Sequence, residues 1–270
     1  MAGSQVLRSR AVPETCNRLL MALPRDDRAR IWPRLERTTL SARQAVQVPG
    51  QPITDAYFPE TSWISMVAVL PDGHTAEVGH CGRDGMTGLP LIFGMRASSI
   101  AATVHRPGTA LRLGAEALGE ELERTPALRA LLLLYAMAFN EEVAQLAACI
   151  GRHVLEQRLA CWLLAAHDQA DGDDLPVTHD MLAMMLCVRR SGVTLAARQM
   201  QQAGHIRYTK GRITVTGRAG LEELACACYG NSSRRWRECL PGIRTFKRPP
   251  AILPEPVLPE AVMPEPVMPG

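Results

Sequence analysis

No stretch of this 270-residue sequence is apolar over the length of a membrane span. The longest apolar cluster, residues 131–139, falls well short of the ~20 residues that a spanning helix needs. The opening residues, MAGSQVLRSRAVPE, lack the apolar core of a secretory signal, so the expected location is the cytoplasm. The 8 cysteines form no CxxC pair and no cysteine–histidine pattern of zinc-finger spacing. No paired carboxylates and no nucleophile beside a base stand out, so the chain is not expected to be an enzyme. No metal or cofactor is expected either.

What is present is enough apolar material for real cores, at 47% of residues, and enough length for two domains. The cysteines are Cys16, Cys81, Cys149, Cys161, Cys187, Cys226, Cys228 and Cys239. Without an export signal they read as free thiols, mostly buried and structural. The nearest pair, Cys226 and Cys228, lies at an expected helix end.

Residues 176–217 carry the clearest pattern. Thr178 is a good N-cap, and Met181, Leu182, Met185 and Leu186 follow it at helical spacing. Cys187, Val188 and Arg189 interrupt the pattern. Val193, Ala196, Ala197 and Met200 restart it as one face of a second helix, and Gly204 stands where a C-cap glycine belongs. Two short β-prone runs around Lys210 and Gly211 then predict a hairpin. This order is a winged helix-turn-helix.

The 176–217 module holds six basic residues against Asp180, whereas the whole chain is only +3. Charge concentrated on one small module suits a surface that displaces counterions from phosphate. Arg190, Ser191, Thr194, Leu195 and Arg198 fall off the apolar stripe of the second helix, and Lys210 sits in the hairpin turn. The plainer alternative is a helical hairpin with a solvated basic face.

Upstream, residues 14–23 and 26–35 read as short helices. Residues 43–113 switch to short β-prone runs at 45–48, 56–58, 63–70, 75–79, 100–104 and 109–113, which argue for an antiparallel barrel or jelly roll. Residues 79–94 are dense in glycine, serving either barrel corners or a ligand-cradling loop. After a short helix at 116–122, residues 127–150 run without a breaker until Gly151 and are apolar on nearly every side in their first half. Such a helix needs two partners, here the barrel and a second copy of itself. Residues 154–167 form another helix, 168–174 an acidic linker, and 219–229 a closing helix. From 231 the chain turns basic and then repeats PEPVL-PEAVM-PEPVM, a composition that favours disorder. The basic stretch adds non-specific DNA affinity, or the tail has no function.

The fold class is therefore α+β, an N-terminal antiparallel β-roll, a long helix and a C-terminal winged helix. The segments are 14–125, 126–151 for dimerisation, 152–230, and a tail at 231–270. This order, with YFPETSWISMVAVLPDGHTAEVG (57–79), GRDGMTGLPLIFG (82–94) and HVLEQRLACWLL (153–164), resembles the Crp/Fnr family of bacterial transcription regulators. The resemblance implies a cyclic-nucleotide-binding-like sensor barrel, a homodimer through 126–151, double-stranded DNA as partner, and RNA polymerase as a candidate further partner. By position it places base reading on Arg190, Ser191 and Leu195, and phosphate contact on Thr178, Arg189, Gly192 and Arg198. Ser191 and Leu195 depart from the acidic and basic residues of the best-known members, so the operator is expected to differ. Cys187 stands where the family usually has glycine. The family's effector loop corresponds to Gly85, Met86, Thr87, Gly88, Arg96, Ser98 and Ser99. It lacks the carboxylate that would hold a ribose hydroxyl, so tight cyclic AMP binding is not expected. Cys16 alone stands where the oxygen-sensing branch has a cysteine cluster, so an iron–sulfur centre is not expected. Two alternatives stay open, a redox or small-molecule sensor acting through Cys81 or Cys187, and a jelly-roll metal enzyme using His74, His80 and His105.

Overall fold

The computed structural model describes residues 14–73 and 75–241. His74 and residues 242–270, with the proline-rich repeat, lie outside the described residues, as do 1–13. The chain starts with α1 (Arg18–Met21) and α2 (Arg25–Ile31), then β1 (Glu36–Leu40), β2 (Ala45–Gln47), β3 (Asp55–Pro59), β4 (Trp63–Val69) and β5 (Thr75–Cys81). A single turn of helix, α3 (Leu89–Ile92), precedes β6 (Ile100–Arg106) and β7 (Gly108–Gly114). Helices α4 (Ala115–Arg124), α5 (Pro126–Arg152) and α6 (Leu155–Gln169) follow. The C-terminal unit is β8 (Asp174–Leu175), α7 (His179–Met185), α8 (Arg190–Gln202), β9 (Ile206–Thr209), β10 (Arg212–Val215), α9 (Arg218–Leu224) and α10 (Cys228–Cys239).

The N-terminal half holds two antiparallel sheets, β1-β7-β3 and β2-β6-β4-β5. β1 was missed by the sequence reading, which ran the second helix to residue 35 and began the β region at 43. The strand has little apolar signal because only Leu40 of Glu36–Leu40 is buried. It exists because its backbone pairs with β7, Glu36 opposite Arg112 through Leu40 opposite Gly108. The first helix is shorter than expected because Asn17 caps it. Asn17 accepts from Leu20 N at 3.0 Å and donates to the carbonyls of Pro59 and Gly85, both at 2.9 Å.

Helix α5 runs two residues past the expected stop, through Gly151. One glycine costs a helix only about 1 kcal/mol relative to alanine, which the flanking turns tolerate. Contrary to the expectation from sequence that no stretch is apolar over the length of a membrane span, α5 is by length and composition long and apolar enough to cross one, because its few charges are spread over 27 residues. Its face formed by Leu128, Leu132, Tyr135 and Ala138 packs into the N-terminal core with Phe58, Leu111 and Leu113.

Two expectations about the C-terminal third are corrected. The acidic segment 168–174 is not simply a linker. Asp168 is 6% exposed and belongs to α6, where its carboxylate meets Arg218 at 3.0 Å and the Tyr229 hydroxyl at 2.7 Å. Residues 173–175 join the wing, with Leu175 paired to Ile213 and Asp174 to Thr214. The closing helix at 219–229 is two helices with a break at 225–227, and residues 231–239 are not tail. They complete α10, whose Trp236 is 2% exposed. The Trp236 ring lies 5.9 Å from Tyr135 of α5, and its Nε1 donates to Glu142 Oε2 at 2.7 Å. Composition misled here. One large apolar side chain among arginines reads as a solvated run, yet burying a Trp stabilises by about 3–5 kcal/mol, the usual cost of truncating one.

Candidate nucleic-acid interface

The helix pair is built as the spacing demanded. Thr178 caps α7 by accepting from Met181 N at 3.2 Å. Leu182, Met185 and Leu186 are buried, as are Val193, Ala196, Ala197 and Met200 of α8. The two stripes face each other and leave the other side of α8 in solvent. The turn between them holds Cys187 at φ 52°, a strained region for a residue with a side chain. The Arg158 guanidinium from α6 donates to the Leu186 carbonyl and pins the turn from beneath.

Arg189, Arg190, Ser191, Thr194, Leu195 and Arg198 are all exposed. No side chain caps the N-terminus of α8, so its first amides are available to an anion such as a phosphate oxygen. Leu195 is 57% exposed, the position of an apolar contact rather than of a core residue. Lys210 is exposed at the hairpin tip, beside Gly211 at φ +70°. Thr178 has its hydroxyl engaged as the cap. Gly192 is half-buried, and a Cβ there would approach Leu155 Cδ2 of α6 to 3.1 Å, so packing alone accounts for a small residue.

The structure adds three residues that sequence reasoning overlooked. Asp180 of α7 holds Arg190 Nε at 3.2 Å, so the guanidinium is pre-paired. His179 Nδ1 lies 3.0 Å from Thr194 Oγ1, which in turn donates to the Arg190 carbonyl at 3.0 Å. The hydroxyl has one proton, so Nδ1 of His179 carries the hydrogen between them. Burial, then the nearby Arg190, lowers the His179 pKa against the opposing charge of Asp180. The ring stacks on Tyr208 of the wing, centroids 4.1 Å apart. Thr194 is thus partly committed to its own helix. Their local signal was faint, because a helical HD pair ahead of an apolar stripe has many ordinary roles.

The expected effector loop looks different. Met86 and Thr87 are 1% exposed, and the Thr87 hydroxyl accepts from Tyr57 N at 3.2 Å. A Cβ on Gly85 would lie 2.5 Å from the Tyr135 hydroxyl, which donates to the Met86 carbonyl at 2.9 Å. Gly88, at φ +83°, starts α3. Arg96 and Ser99 are exposed and Ser98 half-buried, at the far end of this segment. The seven residues therefore do not line one cavity. The loop is filled by packing against α5.

A cavity of about 120 Å³ lies instead where β5, α5, α6 and α7 meet. Glu77, His80, Glu142, Arg158, Trp162 and Met185 are among its walls. Burial pushes the Glu77 carboxyl up to about 8, and the Glu142 charge adds to the shift. His80 lies 3.8 Å from Glu77 and 4.0 Å from Glu142.

The cysteines sort by environment. Cys81 is buried on the sheet. Cys187 is exposed, with its thiol raised chiefly by partial burial, the reverse of an activated thiolate. His80 and His105 belong to no group able to hold a metal among the described residues, and burial drops the His105 pKa to about 4. The group that does form is Cys149, His153, Cys226 and Cys228, whose ligand atoms all lie within 4.8 Å of one another. From sequence, its Cys226–Cys228 pair reads as buried structural thiols rather than as metal ligands. A second trace was the Cys149–His153 spacing of four, which puts the two one helical turn apart.

Residues 157–224 match the model of the Crp-like helix-turn-helix domain. Those residues form a Crp-like helix-turn-helix domain. About three quarters of the chain shares the fold of solved Crp/Fnr-family structures. Bradyrhizobium japonicum FixK2 superposes with a TM-score of 0.64 at 15% identity, covering 72% of this chain and 98% of that one. A regulator of the Crp/Fnr family from Eubacterium rectale gives 0.60 at 18% identity, covering 76% and 96%. The c-di-GMP responsive regulator CLP of Xanthomonas campestris gives 0.58 at 16%, covering 71% and 99%. No curated protein matches the sequence. Within the matched helix-turn-helix domain, α8 is the second helix of the pair.

Proposed function

We propose that the protein binds a two-fold DNA site as a cytoplasmic homodimer, with α8 in the major groove. The observation that carries this is the division of α8 into a fully buried apolar face and an exposed face bearing Arg190, Ser191, Leu195 and Arg198. Arg190 supplies a guanidinium for bidentate guanine readout, and Leu195 an apolar surface for a thymine methyl. Arg189, Arg198 and Lys210, with the free amides at the start of α8, take phosphates. Dimerisation through α5 is supported by Leu133, Leu134 and Met137, which are exposed on a helix whose other face is buried.

Selection of genomic fragments by the purified protein is the test. The expected result is a palindrome with half-sites about one helical turn apart. Fragments without two-fold symmetry would sink the dimeric reading. The packed state of residues 85–88 argues that cyclic AMP is not the effector, and calorimetry showing a micromolar complex would reverse that. A redox function through Cys81 or Cys187 is the weaker reading, since one thiol is buried and the other is held protonated.

A further inference from the structure

We infer that Cys149, His153, Cys226 and Cys228 form a tetrahedral site for a single zinc ion that ties the long helix to the DNA-binding domain. Cys149 and His153 stand one turn apart at the end of α5, where His153 is the C-cap. Cys226 and Cys228 flank Ala227, in the break between α9 and α10. The three thiols are 5%, 6% and 8% exposed, while His153 is half-buried and gives an ion a way in.

The spacing suits coordination better than the two alternatives. Cys149 Sγ lies 3.5 Å from Cys226 Sγ, far beyond the ~2.05 Å of a disulfide. Cys228 Sγ lies 3.5 Å from His153 Nδ1. Zinc bonds of ~2.3 Å to sulfur and ~2.0 Å to nitrogen, at tetrahedral angles, separate ligand atoms by about 3.5–3.8 Å. An iron–sulfur cluster would hold its cysteine sulfurs farther apart than this group does. Three soft thiolates with one imidazole select zinc among the abundant divalent ions.

Neighbouring groups are placed to support the ligands. Gln145 Nε2 donates to Cys228 Sγ at 3.2 Å. Cys161 of α6 sets its own sulfur 3.3 Å from Cys226 Sγ, where a thiol proton would satisfy a thiolate. Binding converts three thiols to thiolates and releases three protons to solvent, while His153 binds as the neutral ring. The ion would then cross-link two segments that a helix-turn-helix must keep in register with its sensor, the end of α5 and the α9–α10 junction, with α6 held alongside through Cys161.

The experiment is elemental analysis of the full chain purified without chelator, beside Cys149→Ser, Cys226→Ser and the turn variant Cys187→Ser. About one zinc per chain is expected in the native protein and in Cys187→Ser, and essentially none in the other two. Should those variants fail to fold, native apoprotein is made by chelation under reducing conditions and titrated with Co(II). One equivalent should develop the strong visible bands of tetrahedral thiolate-bound cobalt, with proton release. Metal-free protein whose reduced form takes up neither zinc nor cobalt would overturn the site. So would a native disulfide to Cys226, iron in place of zinc, or zinc retained in Cys226→Ser. Full affinity in His153→Ala with loss in Cys161→Ser would remove His153 as a ligand.

Discussion

The exposed face of α8 and the loop at residues 82–94 were both marked by sequence as places where something binds, and they differ in what the fold does with them. On α8 every apolar side chain but Leu195 is spent inward, and the arginines, Ser191 and Leu195 are left to solvent. In the loop the glycine is used for closeness. Gly85 lets Tyr135 of α5 approach, and Met86 and Thr87 are sealed beneath. The comparison teaches that a glycine-rich stretch marks backbone proximity, and that only the tertiary neighbour says whether a ligand or another helix uses it.

The largest effect should come from the junction linking the two regions. Glu77 holds its proton up to about pH 8 in the folded protein, against an ordinary value of 4.5. The folded state therefore binds this proton more tightly than the unfolded one. Its contribution is complete below about pH 4.5, falls as pH rises, and is lost above about pH 8, a change on the order of a few kcal/mol. His80, Glu142 and Arg158 share the cavity. Glu77→Gln should flatten that part of a denaturant-midpoint profile, and an unchanged profile would remove Glu77 as its source.

Next, Gly85→Ala should cost about 1–3 kcal/mol of stability through overpacking against Tyr135, with little change in DNA specificity of the folded fraction. A stable Gly85→Ala protein would mean the loop is open in solution. Arg190→Ala should have the opposite signature. Specific binding should weaken by about 1–3 kcal/mol, leaving the melting temperature and non-specific binding almost intact. Equal loss on specific and random DNA would make Arg190 a phosphate contact only. The smallest effect is expected from Asp180→Ala. It frees Arg190 from an exposed pair worth about 0–1 kcal/mol, so specific DNA affinity should rise slightly. A fall would show that Asp180 orients the guanidinium rather than holding it back.

Much of the architecture was legible because it is written in local periodicity. Thr178, the stripes of α7 and α8, Gly204 and the Lys210–Gly211 turn each report on neighbours within a few residues. The strand runs from 45 to 113 were visible for the same reason. β1 was not, because its stabilising partner is β7, some seventy residues on, and its own side chains are mostly solvated. Asp168 read as linker because its partners, Arg218 and Tyr229, are far along the chain. Trp236 read as tail because its pocket is supplied by α5.

Sequence by itself determined the helix-turn-helix, its charge and the side of α8 that faces outward, since a 3.6-residue repeat sorts side chains before any tertiary contact forms. Tertiary structure alone decided that Gly85 meets Tyr135, and that Glu77 is buried at the junction. It alone gathered Cys149, His153, Cys226 and Cys228 within 4.8 Å. Those four come from segments more than seventy residues apart. Only the packing of α5 against α10 and the break before it brings them together, and no spacing rule along the chain carries that information.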